Sequence, residues 1–162
     1  METTTILEIP FGPLKLFSNG TALTRIMLPS QLSESDCDCG KAPSDLILRQ
    51  ASSELKDYFA GVRSEFDVPI SPEKGTDFQR AVWKELSKIP IGTTITYAEL
   101  ATRIGRPSAI RAVGAANGRN QIPIIVPCHR VTGSDGPLTG FAGGLELKWQ
   151  LLEHEKQLAV AE

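Results

Sequence analysis

The chain has 162 residues, is 41% hydrophobic and carries a formal net charge of −2. That size suits one domain or two small ones with a real core, and the charge balance argues against an obvious nucleic-acid or membrane protein. No charged n-region with an apolar h-region opens it, and no apolar run reaches the roughly 20 residues that span a bilayer. The three cysteines, without an export signal, suggest a reducing compartment, free thiols and a cytoplasmic protein.

Thr4–Ile9, Leu14–Phe17 and Ala22–Leu28 read as strands. The turn signals Pro10-Phe-Gly-Pro13 and Ser18-Asn-Gly20 join them into an antiparallel meander. Pro29–Pro43 is a polar loop holding Cys37 and Cys39 in an acidic context. Both histidines lie far away in the C-terminal third, so we expect spare thiols there and no metal site. Ser44–Phe59 has helical spacing, with Ser44 as its expected N-cap and Gly61 as its stop. Ser64–Val68 reads as a further short strand, and Pro69–Gly75 as a linker. Nothing in residues 1–75 carries nameable chemistry, which leaves a scaffold role.

Beyond Gly75 the signals sharpen. Thr76-Asp-Phe-Gln79 fits a capping box, followed by Phe78, Val82, Leu86 and Ile89 on one helix face. Thr96-Tyr-Ala-Glu99 is a second box and opens a helix from Tyr97 to Ile104, closed by Gly105 and Pro107. Ser108 is expected to cap the next helix, Ala109 to about Ala116, ended by Asn117-Gly118. Two short helices at a tight turn fit a helix-turn-helix as well as an ordinary αα-corner. Charge separates the two. Residues 1–75 hold 7 Lys/Arg against 11 Asp/Glu, whereas residues 76–162 hold 10 against 8. From Leu100 to Ser134 there is no acidic residue, but Arg103, Arg106, Arg111, Arg119 and Arg130 are present. This basic stretch points to DNA. The second helix is slim (Ala109, Ala112, Gly114, Ala115, Ala116) and has one long polar side chain, Arg111. That composition favours phosphate and groove-shape contacts over base reading.

The first part of Ile122–Val131 is a nearly pure apolar run bounded by Pro123 and Pro127, read as a buried strand that delivers Cys128, His129 and Arg130 at its end. A buried thiol is mostly protonated at neutral pH, so a reactive Cys128 needs a base. His129 is the adjacent candidate, directly or through a water. In the last helix Leu145, Trp149 and Leu152 share a face that Glu155 continues, which would let Glu155 orient His129 as the third member of a triad. Cys-His-Glu alone fits a thiol hydrolase equally well; the neighbouring basic helix-turn-helix favours a DNA substrate.

Pro127-Cys-His-Arg-Val131 resembles the active-site signature of the O6-alkylguanine-DNA alkyltransferases. The resemblance runs through Gly75-Thr-x-Phe-Gln79, Val82-Trp83, Ile89-Pro-x-Gly92, Thr96-Tyr97, Arg111-Ala-Val-Gly114, Asn120, Gly143-Gly-Leu145 and Leu151-Leu-x-His-Glu155. It implies an α+β chain of two small domains. Residues 1–72 would be a ribonuclease-H-like scaffold with an antiparallel sheet and a helix. Residues 73–162 would be a mostly helical, winged-helix-like domain with the helix-turn-helix, bearing alkyl transfer and DNA binding. Cys128 would take the alkyl group from O6-alkylguanine, or O4-alkylthymine, irreversibly in a single turnover. His129, through a water, would be the base, with Glu155 behind it and Asn120 bracing the turn. Tyr97, Val131, Phe141, Ala142 and Gly143 would form the base pocket. Arg111 would fill the gap left by the flipped base, with Arg106, Ser108, Ala109, Ala112 and Arg119 beside it on the DNA. Flipping fits the chemistry, because the reacting carbon lies inside a stacked duplex. The implied partner is double-stranded DNA, bound through its minor groove with low sequence specificity by a monomer without cofactor or metal. Two departures stand out: Thr precedes Tyr97 where Ser is frequent, and Ala142 fills a position held by Ser or larger residues elsewhere. A non-catalytic lesion binder is the alternative, but such proteins lack the cysteine.

Overall fold

The computed structural model describes residues 2–36, 43, 45–133 and 144–161. They form two compact units, Met1–Glu73 and Lys74–Glu162.

In the first unit the meander is present as β1 (Thr3–Ile9), β2 (Gly12–Ser18) and β3 (Leu23–Met27), antiparallel in that order. Alternation sets the buried face: Leu7, Ile9, Leu14, Leu16 and Ile26 point inward. Helix α1 (Leu46–Phe59) packs Leu48, Ala51, Leu55 and Tyr58 in the same core. Its cap is Asp45, one residue later than expected; Ser44 lies outside the described residues. The Asp45 carboxylate accepts the Ile47 N–H at 2.6 Å and the hydroxyls of Thr3 and Ser18 at 2.8 and 2.9 Å, which ties the helix start to β1 and β2.

Ser64–Val68 is not a strand. Its backbone donors go elsewhere: Glu54 Oε1 accepts the N–H groups of Asp67 and Val68 at 2.8 and 3.0 Å. A side chain thus replaces the ladder partner a strand would need. Only Ile70, further on, bridges to Leu23.

The second unit begins with α2 (Asp77–Leu86). The Thr76–Gln79 capping box is complete, with bonds of 3.0 and 3.1 Å. Strand β4 (Ile95–Thr96) leads directly into α3 (Tyr97–Arg103), where Thr96 accepts the Glu99 N–H as expected. Helix α4 (Ile110–Gly118) starts without a side-chain cap, since Ala109 and not Ser108 holds the cap position. It also runs through Asn117, which is buried. Strand β5 (Val131–Thr132) pairs parallel with β4, Ile95 opposite Val131 and Thr96 opposite Thr132. The last helix is α5 (Leu145–Ala161). Trp83 on α2 donates its indole N–H to the Ala116 carbonyl of α4 at 2.8 Å. Gly92 has a φ of +80°, and a Cβ there would meet the Ala159 Cβ of α5 at 2.5 Å. Both the backbone conformation and the contact therefore demand glycine.

Glu54 is 4% exposed, so removing its carboxylate strands two backbone donors. Glu54→Ala is expected to lower stability by about 1–3 kcal/mol for each stranded amide, read from the denaturation midpoint. Loss of less than about 1 kcal/mol would show that these hydrogen bonds do not hold the segment.

Candidate active site and nucleic-acid interface

The apolar run before Cys128 is buried but is not a strand. Ile122, Ile124 and Val126 are at most 2% exposed, yet they form a tight loop in which Ile124 has a φ of +75°. Pro123 and Pro127 have no N–H to give to a ladder, so the run cannot pair along its length. Asn120 closes the loop from inside. Its Oδ1 accepts the Ile122 N–H at 3.1 Å and its Nδ2 donates to the Val126 carbonyl at 2.8 Å. Cys128, His129 and Arg130 then form one 3₁₀ turn, with the Cys128 N–H on the Val126 carbonyl at 2.8 Å. The β4–β5 pairing follows at once and fixes this turn against the residues that open α3, Tyr97 first among them.

Cys128 is a free, buried thiol. Burial raises its pKa from 9.0 to about 11, against the smaller opposing effects of the Asn120 side chain and the Lys148 charge. The thiol is therefore protonated at neutral pH and needs a base to react. His129, fully buried, meets Glu155 with 2.7 Å between Nε2 and Oε2. Glu155 is also fully buried, and Arg130 grips it twice, Nε to Oε1 at 2.8 Å and Nη2 to Oε2 at 2.9 Å. Burial alone would raise the Glu155 pKa, but His129 and Arg130 outweigh it and hold the carboxyl far below its ordinary range. An ionised carboxylate only accepts, so Nε2 carries the imidazole proton and Nδ1 of the neutral ring is left with a lone pair. Nδ1 is buried and has no hydrogen-bond partner among the described residues. The ring thus has one nitrogen oriented and one able to take a proton, directly beside the thiol in sequence.

Three contributors were not legible as site residues. Arg130, counted above with the basic stretch, is 6% exposed and serves Glu155 and the Ile89 carbonyl (2.6 Å) instead of a surface. Lys148 is fully buried and donates to the Val131 carbonyl at 2.8 Å. Burial lowers its pKa to about 8, and its charge in turn favours the Cys128 thiolate. Asn117 donates to the Cys128 carbonyl at 3.3 Å. The expected apolar face of α5 was also misplaced. Leu145 and Trp149 are 45% and 51% exposed, while Leu147, Lys148, Leu151, Glu155 and Leu158 are buried. Lys148 stands seven residues before Glu155 on one helix face, and that spacing was the available signal.

Tyr97 is half-buried, and its pKa is raised by burial first and by Cys128 second, while a hydrogen bond with the Asn117 side chain acts the other way. Val131 is fully buried. Phe141, Ala142 and Gly143, as well as Cys37 and Cys39, lie outside the described residues. Arg106, Ser108, Arg111, Ala112 and Arg119 are exposed, and Ala109 is half-buried, on or beside α4. Arg106 lies 5.9 Å from the Phe78 ring centre. Apart from Arg130, the basic stretch is therefore a surface. Among the described residues no group of acidic, His and Cys side chains has the arrangement to hold a metal ion, and no helix is long and apolar enough to cross a membrane.

Comparison with known proteins covers both units. Residues 3–72 match the family model for the 6-O-methylguanine DNA methyltransferase ribonuclease-like domain, and residues 77–157 match that for the DNA binding domain. A methylated-DNA–protein-cysteine methyltransferase of Methanosarcina barkeri is 46% identical over 93% of this chain and 95% of its own. One of Mycobacterium bovis is 47% identical over 96% of this chain and 93% of its own. Among solved structures, the Mycobacterium tuberculosis O6-methylguanine methyltransferase has a TM-score of 0.86 at 46% identity, covering 100% of this chain and 97% of its own. A Mycobacterium tuberculosis structure in complex with DNA has a TM-score of 0.83 at 46% identity, covering 94% and 92%. The fold is thus α+β in two domains, a ribonuclease-like antiparallel sheet with its helix and a helical DNA-binding domain.

Glu155→Gln removes the charge that Arg130 and His129 share. It is expected to cost about 3–5 kcal/mol, because Arg130 is left buried without its counter-ion. The pH dependence has a definite sign. Because the folded pKa of Glu155 lies below the ordinary 4.5, its stabilisation is fully present above about pH 4.5 and fades as pH falls below it. Urea titrations between pH 3 and 7 are expected to show a steeper acid loss in the unaltered protein than in Glu155→Gln; parallel curves would refute the assignment.

Proposed function

On the premise that the chain belongs to the 6-O-methylguanine DNA methyltransferase family, we propose that Cys128 is the residue that accepts the alkyl group from O6-alkylguanine in DNA. Repair of alkylated DNA by alkyl transfer to a cysteine is the activity of this chain; the residues and steps are our assignment. The observation that carries it is the His129–Glu155 pair at 2.7 Å, with a buried, unpartnered Nδ1 on the residue that follows a thiol which burial keeps protonated.

The thiol passes its proton through a water to His129 Nδ1, while Nε2–H stays on Glu155. The thiolate attacks the alkyl carbon. A sulfur–carbon bond forms as the carbon–O6 bond breaks, the bonding pair stays on O6, and the proton held by the imidazole ends on the released guanine. Nothing regenerates the thiol, so each molecule acts once. O4-alkylthymine presents the same alkyl–oxygen bond. Lys148, close enough to favour the thiolate electrostatically, supports the charge that develops on sulfur. Asn120 holds the loop that aims Cys128. Tyr97, with the backbone at Val131 and the segment Phe141–Gly143, receives the base.

A carbon buried in a base stack cannot reach a buried thiol unless the base leaves the stack. We assign Arg111, exposed on the first turn of α4, to fill the gap. Ala112, with Ala109 and Ser108 before it, lets the slim helix approach the minor groove, and Arg106 and Arg119 meet phosphates. None of these is suited to reading base edges, which fits repair in any sequence context. We assign the working form to a monomer in the cytoplasm.

Incubation with duplex DNA containing O6-methylguanine is expected to add one methyl group to the intact mass, and Cys128→Ala abolishes the gain. Tight binding without a mass gain would sink the reading and favour a lesion-binding role. Arg111→Ala is expected to slow repair of duplex DNA far more than reaction with a free O6-alkylguanine base; equal loss on both would remove Arg111 from the flipping step.

A further inference from the structure

Asn117 stands on the last turn of α4, 3% exposed, facing the nucleophile rather than solvent. The Cys128 carbonyl can only accept, so the Asn117 atom 3.3 Å from it is the amide nitrogen, and this fixes which way the amide is turned. The same carbonyl also accepts the Val131 N–H that closes the 3₁₀ turn. On the other side, Tyr97 lies over α4: a Cβ added at Gly114, one helical turn before Asn117, would be 3.9 Å from Tyr97 Cδ1. The Asn117 side chain also acts on the Tyr97 phenol, favouring its ionised form against burial. Its Oδ1 is buried with no hydrogen-bond partner among the described residues. A buried amide with one end unsatisfied is costly, and a leucine of similar volume would fill the space without that cost. The polar residue therefore has a use in the site.

We propose that Asn117 is a positioning residue for alkyl transfer, which holds the Cys128 carbonyl and the Tyr97 phenol in one fixed relation and ties both to α4. The inference rests on the alkyl-transfer reading above and adds a residue to it. Through this one side chain the helix that meets DNA sets the distance between the thiol and the ring that receives the base. Asn117 itself need touch neither the alkyl group nor the base.

The test is a double-mutant cycle on the single-turnover rate of methyl transfer from duplex DNA containing O6-methylguanine, using the full chain. Asn117→Leu is expected to slow transfer about five- to tenfold, the worth of one lost hydrogen bond. In the Tyr97→Phe background the same change is expected to slow it less than about twofold, because the partner is already gone. Slowing by the same factor in both backgrounds, or no slowing in either, overturns the proposal. A structural role alone would lower the thermal midpoint and slow both backgrounds alike, so the midpoint is measured for all four proteins. Should Asn117→Leu not fold, Asn117→Ser, too short to reach both partners, is carried through the same cycle. Absence of methyl uptake by the unaltered protein would bring down the alkyl-transfer reading and this inference together; uptake with additive effects fails this inference alone.

Discussion

The site depends on a carboxylate that has no access to water. Glu155 is fully buried, and an isolated charge there would be prohibitively expensive. Arg130 makes it tolerable with two charged hydrogen bonds from one guanidinium fork. It anchors its remaining arm on the Ile89 carbonyl, at the end of the turn that follows α2. The pairing does more than neutralise. Oε2 is shared, accepting from Arg130 Nη2 and meeting the imidazole Nε2, so one carboxylate is at once neutralised by the guanidinium and orients the ring. Nδ1, on the other side of the ring, is buried with no hydrogen-bond partner among the described residues. In the proposed mechanism three consecutive residues, Cys128, His129 and Arg130, thus supply the nucleophile, the base and the clamp of the base's orienting group.

Parts of this were readable from residue types alone. Threonine at positions 76 and 96, followed by Gln79 and Glu99, announced two helix starts, because capping is a local matter of side chain and backbone. The meander was readable for the same reason, with period-two burial and turn residues in agreement. Errors came where distant groups took over the backbone's hydrogen bonds. Glu54 claimed the amides of Asp67 and Val68, and Asn120 bracketed the run before Cys128, so neither segment became a strand. Hydrophobicity also misled on α5. Leu145 and Trp149 looked like the buried stripe, but the face turned inward is the one that carries Lys148 and Glu155, each with a buried partner waiting. Cys128, His129 and Glu155 could be named from the sequence; Arg130, Lys148 and Asn117 are defined by partners that only the fold brings near.

Burial is usually an obstacle for a nucleophile, and here it decides how the site works. It keeps the thiol protonated until a base acts, and on the proposed mechanism it confines access to a substrate that can leave its own stack. The surface beside it is built to the opposite rule. Helix α4 exposes Ile110, small side chains and one arginine, which suits close approach to a phosphate backbone and gives no code for sequence. On the proposed reading, generality toward DNA and selectivity toward the lesion reside in two different layers of the same few turns.

The bond from the Trp83 indole to the Ala116 carbonyl has a practical meaning as well. Trp83 is 4% exposed and is anchored to α4, the helix we assign to DNA, whereas Trp149, the other tryptophan of the chain, is half in solvent. The two indoles occupy distinct dielectric surroundings, so the protein carries its own spectroscopic label. Emission from the blue-shifted, quencher-inaccessible fluorophore follows the seating of α4, and the solvent-exposed one serves as an internal reference.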